Sequence, residues 1–300
     1  MEKFDQQYLA LSKTVEGKMT LEGDAFLTGN DSRFGFPSHQ QFKKNTLDDV
    51  KRFLEPSFKK DSIELSIVGD FDIEKAIASC AIYLGSLPQR TDPLRNRPLS
   101  VISFPYGQHI ERSVDSEIQK GMVLVSWLTD EFWYIERTRR LSALGAVFSE
   151  RLRKRVREKL GAAYAPFAFN TPNQVYPFFG LFQAIVPVNP NQASLVIDEI
   201  RKIATNLSET GVTEEELKLA VDPILTRIKD LKRSNSYWLN SVMTQSGRYP
   251  QQLEWSKTIQ KDYAAITSEE LKNLAIKYLS FDKAAVIVVA PLGFKEVHGK

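Results

Sequence analysis

The chain has 300 residues, 42% hydrophobic and 26% charged, with a formal net charge of +3. This is the profile of a globular protein with enough chain for one large domain or two ordinary ones, and it carries no whole-molecule field that would draw it to nucleic acid or to a membrane. Cys80 stands alone, which excludes an intrachain disulfide and leaves the compartment open, and no apolar run approaches the roughly 20 residues needed to span a bilayer.

Residues 1–20 lack the apolar segment of a secretory signal. Up to residue 45 the pattern is helical only near Phe4 to Leu11. The remainder, rich in turn formers and aromatics, predicts no defined element. From Thr46 the signal sharpens. Thr46 reads as an N-cap, Asp48 and Asp49 as an acidic first turn, and Val50, Phe53 and Leu54 as an apolar face, with Pro56 expected to kink or end the helix. Ile63, Leu65 and Ile67 alternate as a strand. Asp72 then caps a helix through Ile73, Ile77, Cys80 and Leu84, where Cys80 serves as a small apolar residue.

Residues 91–100 hold two prolines with charges and read as a linker. Strands are expected from Ser100 toward Ile110 and from Met122 to Leu128. A long helix follows, in which Leu144, Phe148, Leu152 and Val156 recur every four residues as one buried stripe. The charged residues between Glu150 and Glu158, including Arg151, read as its solvated faces. This helix is expected to stop at Leu160 and Gly161, after which Phe167 and Phe169 share one face of a strand and Tyr164 points to the other. A hairpin turns at TPNQ into a second arm from Val175 to Val186. Asn189 and Pro190 open a helix burying Ala193, Val196, Ile197, Ile200, Ile203, Ala204 and Leu207. Thr213 and Glu216 form a capping box for a longer helix that contains Pro223, and a further helix follows a break near Asn235.

The stretch LRKRVREKLGAAY resembles the LREKxGxxY segment of the M16 metallopeptidases, the pitrilysin, insulinase and mitochondrial processing peptidase group. The resemblance implies an α+β sandwich of LuxS/MPP-like domains, an antiparallel-rich mixed sheet covered by helices. It also implies that Arg157 and Tyr164 match the family's Arg and Tyr, which lie in the C-terminal half and contact the scissile region of a peptide while zinc is held by the other half. A guanidinium and a phenol can polarise a peptide carbonyl and support its oxyanion. The residues by themselves also allow a plainer reading, in which the basic side chain complements a helix dipole and the Tyr is a strand packing residue.

The zinc motif of the catalytic half, HxxEH, is absent. His39, His109 and His298 each lack a second His within a helical turn, so this chain is expected to bind no metal and to be inactive alone. GxSxG, GxxxxGK[ST], CxxC and GxGxxG are absent too, and the basic face from Arg151 to Lys159 belongs to no recognised nucleic-acid module. The run from Thr267 repeats the run from Thr46 at a constant offset of 221 (267 minus 46): Thr46 with Thr267, Asp49 with Glu270, Val50 with Leu271, Leu65 with Val286, Val68 with Val289. This implies two repeated units with the first truncated: residues 1–92 as the tail of one M16-like domain, 93–99 as a linker, and 100–300 as a second domain, the N-terminus not being a domain start. The expected function is the C-terminal half of a zinc metalloendopeptidase, with zinc in an N-terminal partner half on the same or a separate polypeptide, and peptide or unfolded protein as substrate. The alternative is a non-catalytic structural or assembly subunit of the same fold.

Overall fold

The computed structural model describes residues 2–90, 101–160 and 165–293. In chain order the elements are α1 (Glu2–Ser12), α2 (Val15–Leu27), α3 (His39–Lys44), α4 (Leu47–Lys60), α5 (Ile73–Tyr83), β1 (His109–Val114), β2 (Gly121–Thr129), α6 (Ile135–Leu160), β3 (Phe167–Pro172), β4 (Gly180–Val188), α7 (Ala193–Glu209), α8 (Glu214–Leu231), the single turn α9 (Asn235–Tyr237), α10 (Gln251–Ala264), α11 (Ser268–Tyr278) and β5 (Ala285–Pro291). They fall into two compact units, residues 1–42, 99–224 and 262–300 in one, and residues 43–98 and 225–261 in the other. The spatial grouping cuts the chain differently from the sequence repeat, because α1 and α2 belong to the same unit as the sheet.

In the first unit five strands form a mixed sheet in the order β1-β5-β2-β4-β3. Only the β1–β5 pair is parallel. The central strand β2 alternates between two covered faces, as a pleated strand must when both sides are packed. Met122 and Leu124 join Val15, Phe26 and Leu27 of α2, together with Ile287 and Val289 of β5. On the opposite face Trp127 meets Phe148 of α6 at 5.9 Å and Phe182 of β4 at 6.0 Å between ring centroids, and those two rings lie 5.7 Å apart. Trp127 is wholly buried, with its indole N–H donated to the Ser280 carbonyl at 3.2 Å.

The stripe expected on α6 is the stripe that is buried: Leu144, Phe148, Leu152 and Val156 are all inside. All seven apolar residues expected to face inward on α7 do so as well. Helix α6 approaches β3 unusually closely. A Cβ placed on Gly145 would stand 3.1 Å from the Phe169 Cα and 3.3 Å from the Ala168 carbonyl oxygen. One turn later the Ser149 hydroxyl accepts from the Ala168 N–H at 2.7 Å, which bolts helix to strand.

Both copies of the repeat build the same cap. Thr46 and Asp49 bond reciprocally at 2.9 and 3.2 Å, and Thr267 and Glu270 at 3.0 and 3.3 Å. Their surroundings differ. In the first unit α11 buries Leu271 and Ala275, and β5 is buried throughout. In the second unit α4 buries nothing, with Phe53 81% and Phe58 73% exposed.

The structure departs from the sequence expectations at several places. Residues 62–68 are not a strand: Ile63, Leu65 and Ile67 are exposed, since alternation alone makes no ladder without a neighbour to hydrogen-bond. β1 starts at His109, although Ile102 and Phe104 upstream are buried. The helices α2 and α10 were not foreseen. The segment from Trp238 to Met243 is a π-type turn, not ordinary helix.

Gly145→Val should test the helix–strand contact. Two more methyl groups meet backbone that cannot rotate away, so the urea midpoint should fall by an amount equivalent to about 1–3 kcal/mol. An unchanged midpoint would show that α6 and β3 are free to separate.

Candidate substrate-contact site

The buried stripe of α6 fixes which way its polar residues face. Arg157 follows the buried Val156 and is exposed, in a last turn that also carries Lys159, so both cations lie where the helix carbonyl ends are negative. Among the described residues Arg157 makes no hydrogen bond and no ion pair, and the local pair with Glu158 that sequence proximity suggests is not formed. Tyr164 lies outside the described residues. Strand β3 begins three residues later and is an edge strand, paired with β4 alone. Phe167 is exposed on it and stacks on Phe169 at 5.5 Å, so the two rings do share a face. An exposed guanidinium at the end of a helix can receive a peptide carbonyl or carboxylate, and β3 downstream is an edge strand whose Ala168 N–H and carbonyl are both taken by the Ser149 hydroxyl.

Arg151 departs from the solvated role expected of it. Its guanidinium is mostly buried and donates to both Glu216 carboxylate oxygens at 2.8 Å, to the Asn206 side-chain oxygen at 2.8 Å and to the Gly211 carbonyl at 2.7 Å. This clamps α6 to the start of α8. The hydrogen bonds from Arg151, opposed by burial and helped by the Thr213 N–H, hold the Glu216 carboxyl down at about 2. The capping box at Thr213 and Glu216 was legible in sequence; its use as an anchor for Arg151, 65 residues away, was not. Arg151, Lys154, Arg155, Glu158, Asn206 and Glu216 line a cleft of about 480 Å³ beside it, a basic surface on the same helix as Arg157.

His109 lies exposed on β1, His298 falls outside the described residues, and among the described residues no group of three or more His, Cys, Asp or Glu is arranged to hold a metal ion. No described helix is long and apolar enough to cross a membrane.

Residues 44–223 match the family model described as the peptidase M16 inactive domain. The chain belongs to this family. The M16 inactive-domain chain is 24% identical over 328 residues to the chloroplastic stromal processing peptidase of Oryza sativa subsp. indica, the match covering 93% of this chain and 26% of that protein. It therefore spans about a quarter of the length of that relative. In fold it is similar to the crystal structure of a peptidase M16 inactive domain from Pseudomonas fluorescens, with a TM-score of 0.79 at 17% identity, covering 98% of this chain and 71% of that one. It is also similar to the periplasmic protease PqqL from Escherichia coli, with a TM-score of 0.72 at 17% identity over 96% of this chain and 32% of that one. The architecture expected from sequence, an antiparallel-rich mixed sheet covered by helices, is the architecture found.

The Arg151–Glu216 clamp gives the M16 inactive-domain chain a defined acid response. A carboxyl held below its unfolded value contributes stability that is complete above about pH 4.5 and disappears as the pH falls toward 2. Glu216→Gln should thus be less stable than the wild type near neutrality, with the difference closing between pH 5 and 2 in urea titrations. A difference that stays constant with pH would mean the carboxylate is not what Arg151 needs.

Proposed function

We propose that this chain is the metal-free C-terminal half of an M16-type zinc metalloendopeptidase, inert alone, which closes a proteolytic chamber against a zinc-bearing N-terminal half. The observation that supports this most is the placement of Arg157. In a segment resembling LREKxGxxY, the Arg follows the buried Val156 and is turned to solvent in the last turn of α6, with no hydrogen bond or ion pair to another described residue. A cation retained only for packing or for a neighbouring carboxylate would have such a partner. In this reading Arg157 and Tyr164 donate to the substrate's scissile carbonyl, the extended peptide lies along the part of the β3 edge that Ser149 does not occupy, and zinc and its activated water come entirely from the partner half. Substrates are peptides and unfolded proteins that fit the closed chamber. The two repeated units, residues 1–92 and 100–300, are part of the proposal; the twin capping boxes at Thr46 and Thr267 support them.

The test is reconstitution with a zinc-bearing M16 half and a fluorogenic peptide. The chain alone should show no hydrolysis, and the mixture should be active and sensitive to chelator. Arg157→Ala and Tyr164→Phe should each lower kcat/KM by about 10²-fold, the usual cost of one oxyanion donor. Activity unchanged in both variants would remove the catalytic reading and leave the structural-subunit one.

A further inference from the structure

A second cleft in the first unit has a more specific chemistry. It has a volume of about 500 Å³ at the C-terminal end of β2, and its aromatic walls come from Tyr106, Trp127, Phe178 and Tyr278. Its one carboxylate, Asp130, is already engaged. The Tyr278 hydroxyl donates to Asp130, Arg137 Nη1 stands 3.1 Å from the same oxygen and Lys277 Nζ 3.5 Å from it. Burial, reinforced by Asp130, raises the Tyr278 phenol above its usual range, so it stays a donor at neutral pH. The remaining charge is Lys283, exposed on the cleft lining and without an ion pair among the described residues. The cleft is therefore apolar inside with a cationic excess.

Phe178 adds an independent sign. Its φ is +57°, a left-handed conformation that strains a bulky side chain, and its ring is nevertheless 70% exposed. The conformation is held by the nearly buried Glu131, whose carboxylate accepts the Phe178 N–H at 2.6 Å, and by Asn173, whose side-chain oxygen accepts from the N–H groups of Val175 and Tyr176 at 2.7 and 2.8 Å. A strained turn that presents an aromatic ring to water beside a cleft has no packing reason to persist.

We propose that this cleft binds the C-terminal residue of a peptide, with a bulky apolar side chain between Tyr106, Phe178 and Tyr278 and the free carboxylate on Lys283. Charge complementarity selects this occupant: among the described residues the one charged side chain of the lining without an ion pair is the cation Lys283, and the volume suits one or two residues. The proposal rests on the reading that the chain handles peptides, but not on any role of Arg157.

The experiment measures fluorescence anisotropy of N-terminally labelled hexapeptides with the full chain and no zinc-bearing half. A peptide ending in Phe as the free acid should bind at least tenfold tighter than its C-terminal amide. Lys283→Ala should abolish that preference, Lys283→Arg should restore it, and Phe178→Ala should weaken acid and amide together, all with unchanged circular dichroism. Equal affinity for acid and amide, no binding, or an unaffected Lys283→Ala would overturn the proposal. So would phenylpropionate competing as strongly as the peptide, since that would make the cleft a small-acid site. Failure here leaves cleavage by the reconstituted enzyme untouched, and loss of the Arg157 effect there leaves this binding untouched, so the two readings fail separately.

Discussion

The close contact of α6 with β3 at Gly145 and Ser149 constrains everything else at the candidate site. A helix that packs on a sheet through ordinary side chains keeps some freedom to slide, whereas here a missing Cβ brings backbone against backbone, and the Ser149 hydroxyl fixes the register to Ala168. Two further anchors act on the same helix. Phe148 is locked into the Trp127 and Phe182 cluster, and Arg151 is clamped by Glu216 and the Gly211 carbonyl. With three points fixed, the direction of every later residue on α6 follows from the helical repeat, which is why Arg157, next to the buried Val156, faces water.

The charged face of this helix thus has two kinds of arginine with opposite uses. Arg151 is mostly buried, donates four hydrogen bonds and is structural; its planar donor fork suits a carboxylate and two carbonyl-type oxygens at once. Arg157 is solvated and available. Sequence alone treats them alike, since both fall outside the apolar stripe, and only the loop that brings Gly211 and Glu216 alongside α6 separates them.

The same division runs through what was legible. The buried stripes of α6 and α7, the strand β2, the N-cap at Thr46 and the capping box at Thr213 and Glu216 were readable because spacing along the chain determines them. Elements whose stability comes from distant partners were not. Helix α2 contains Gly17 and Gly23 and has little helical pattern, yet it forms because Val15, Phe26 and Leu27 fill one face of the sheet. Residues 62–68 show the reverse case: good alternation, the same upstream cap as its repeat at β5, and no ladder, because α4 and this segment bury no face. The Tyr278–Asp130 contact, between residues 148 apart, left no local trace. Of the two residues expected to touch substrate, the Arg157 placement could be read from the stripe on either side of it, whereas Tyr164 depends on residues outside those described.

In the proposed enzyme Arg157 is held ready for a peptide carbonyl that water activated by zinc of the other half attacks. A structure of the reconstituted enzyme with an uncleaved peptide would test it most directly. It should show the Arg157 guanidinium about 3 Å from a peptide oxygen next to the scissile bond, with the metal on ligands of the other half. An Arg157 turned away from the peptide, or a zinc ion held by this chain's own side chains, would contradict it.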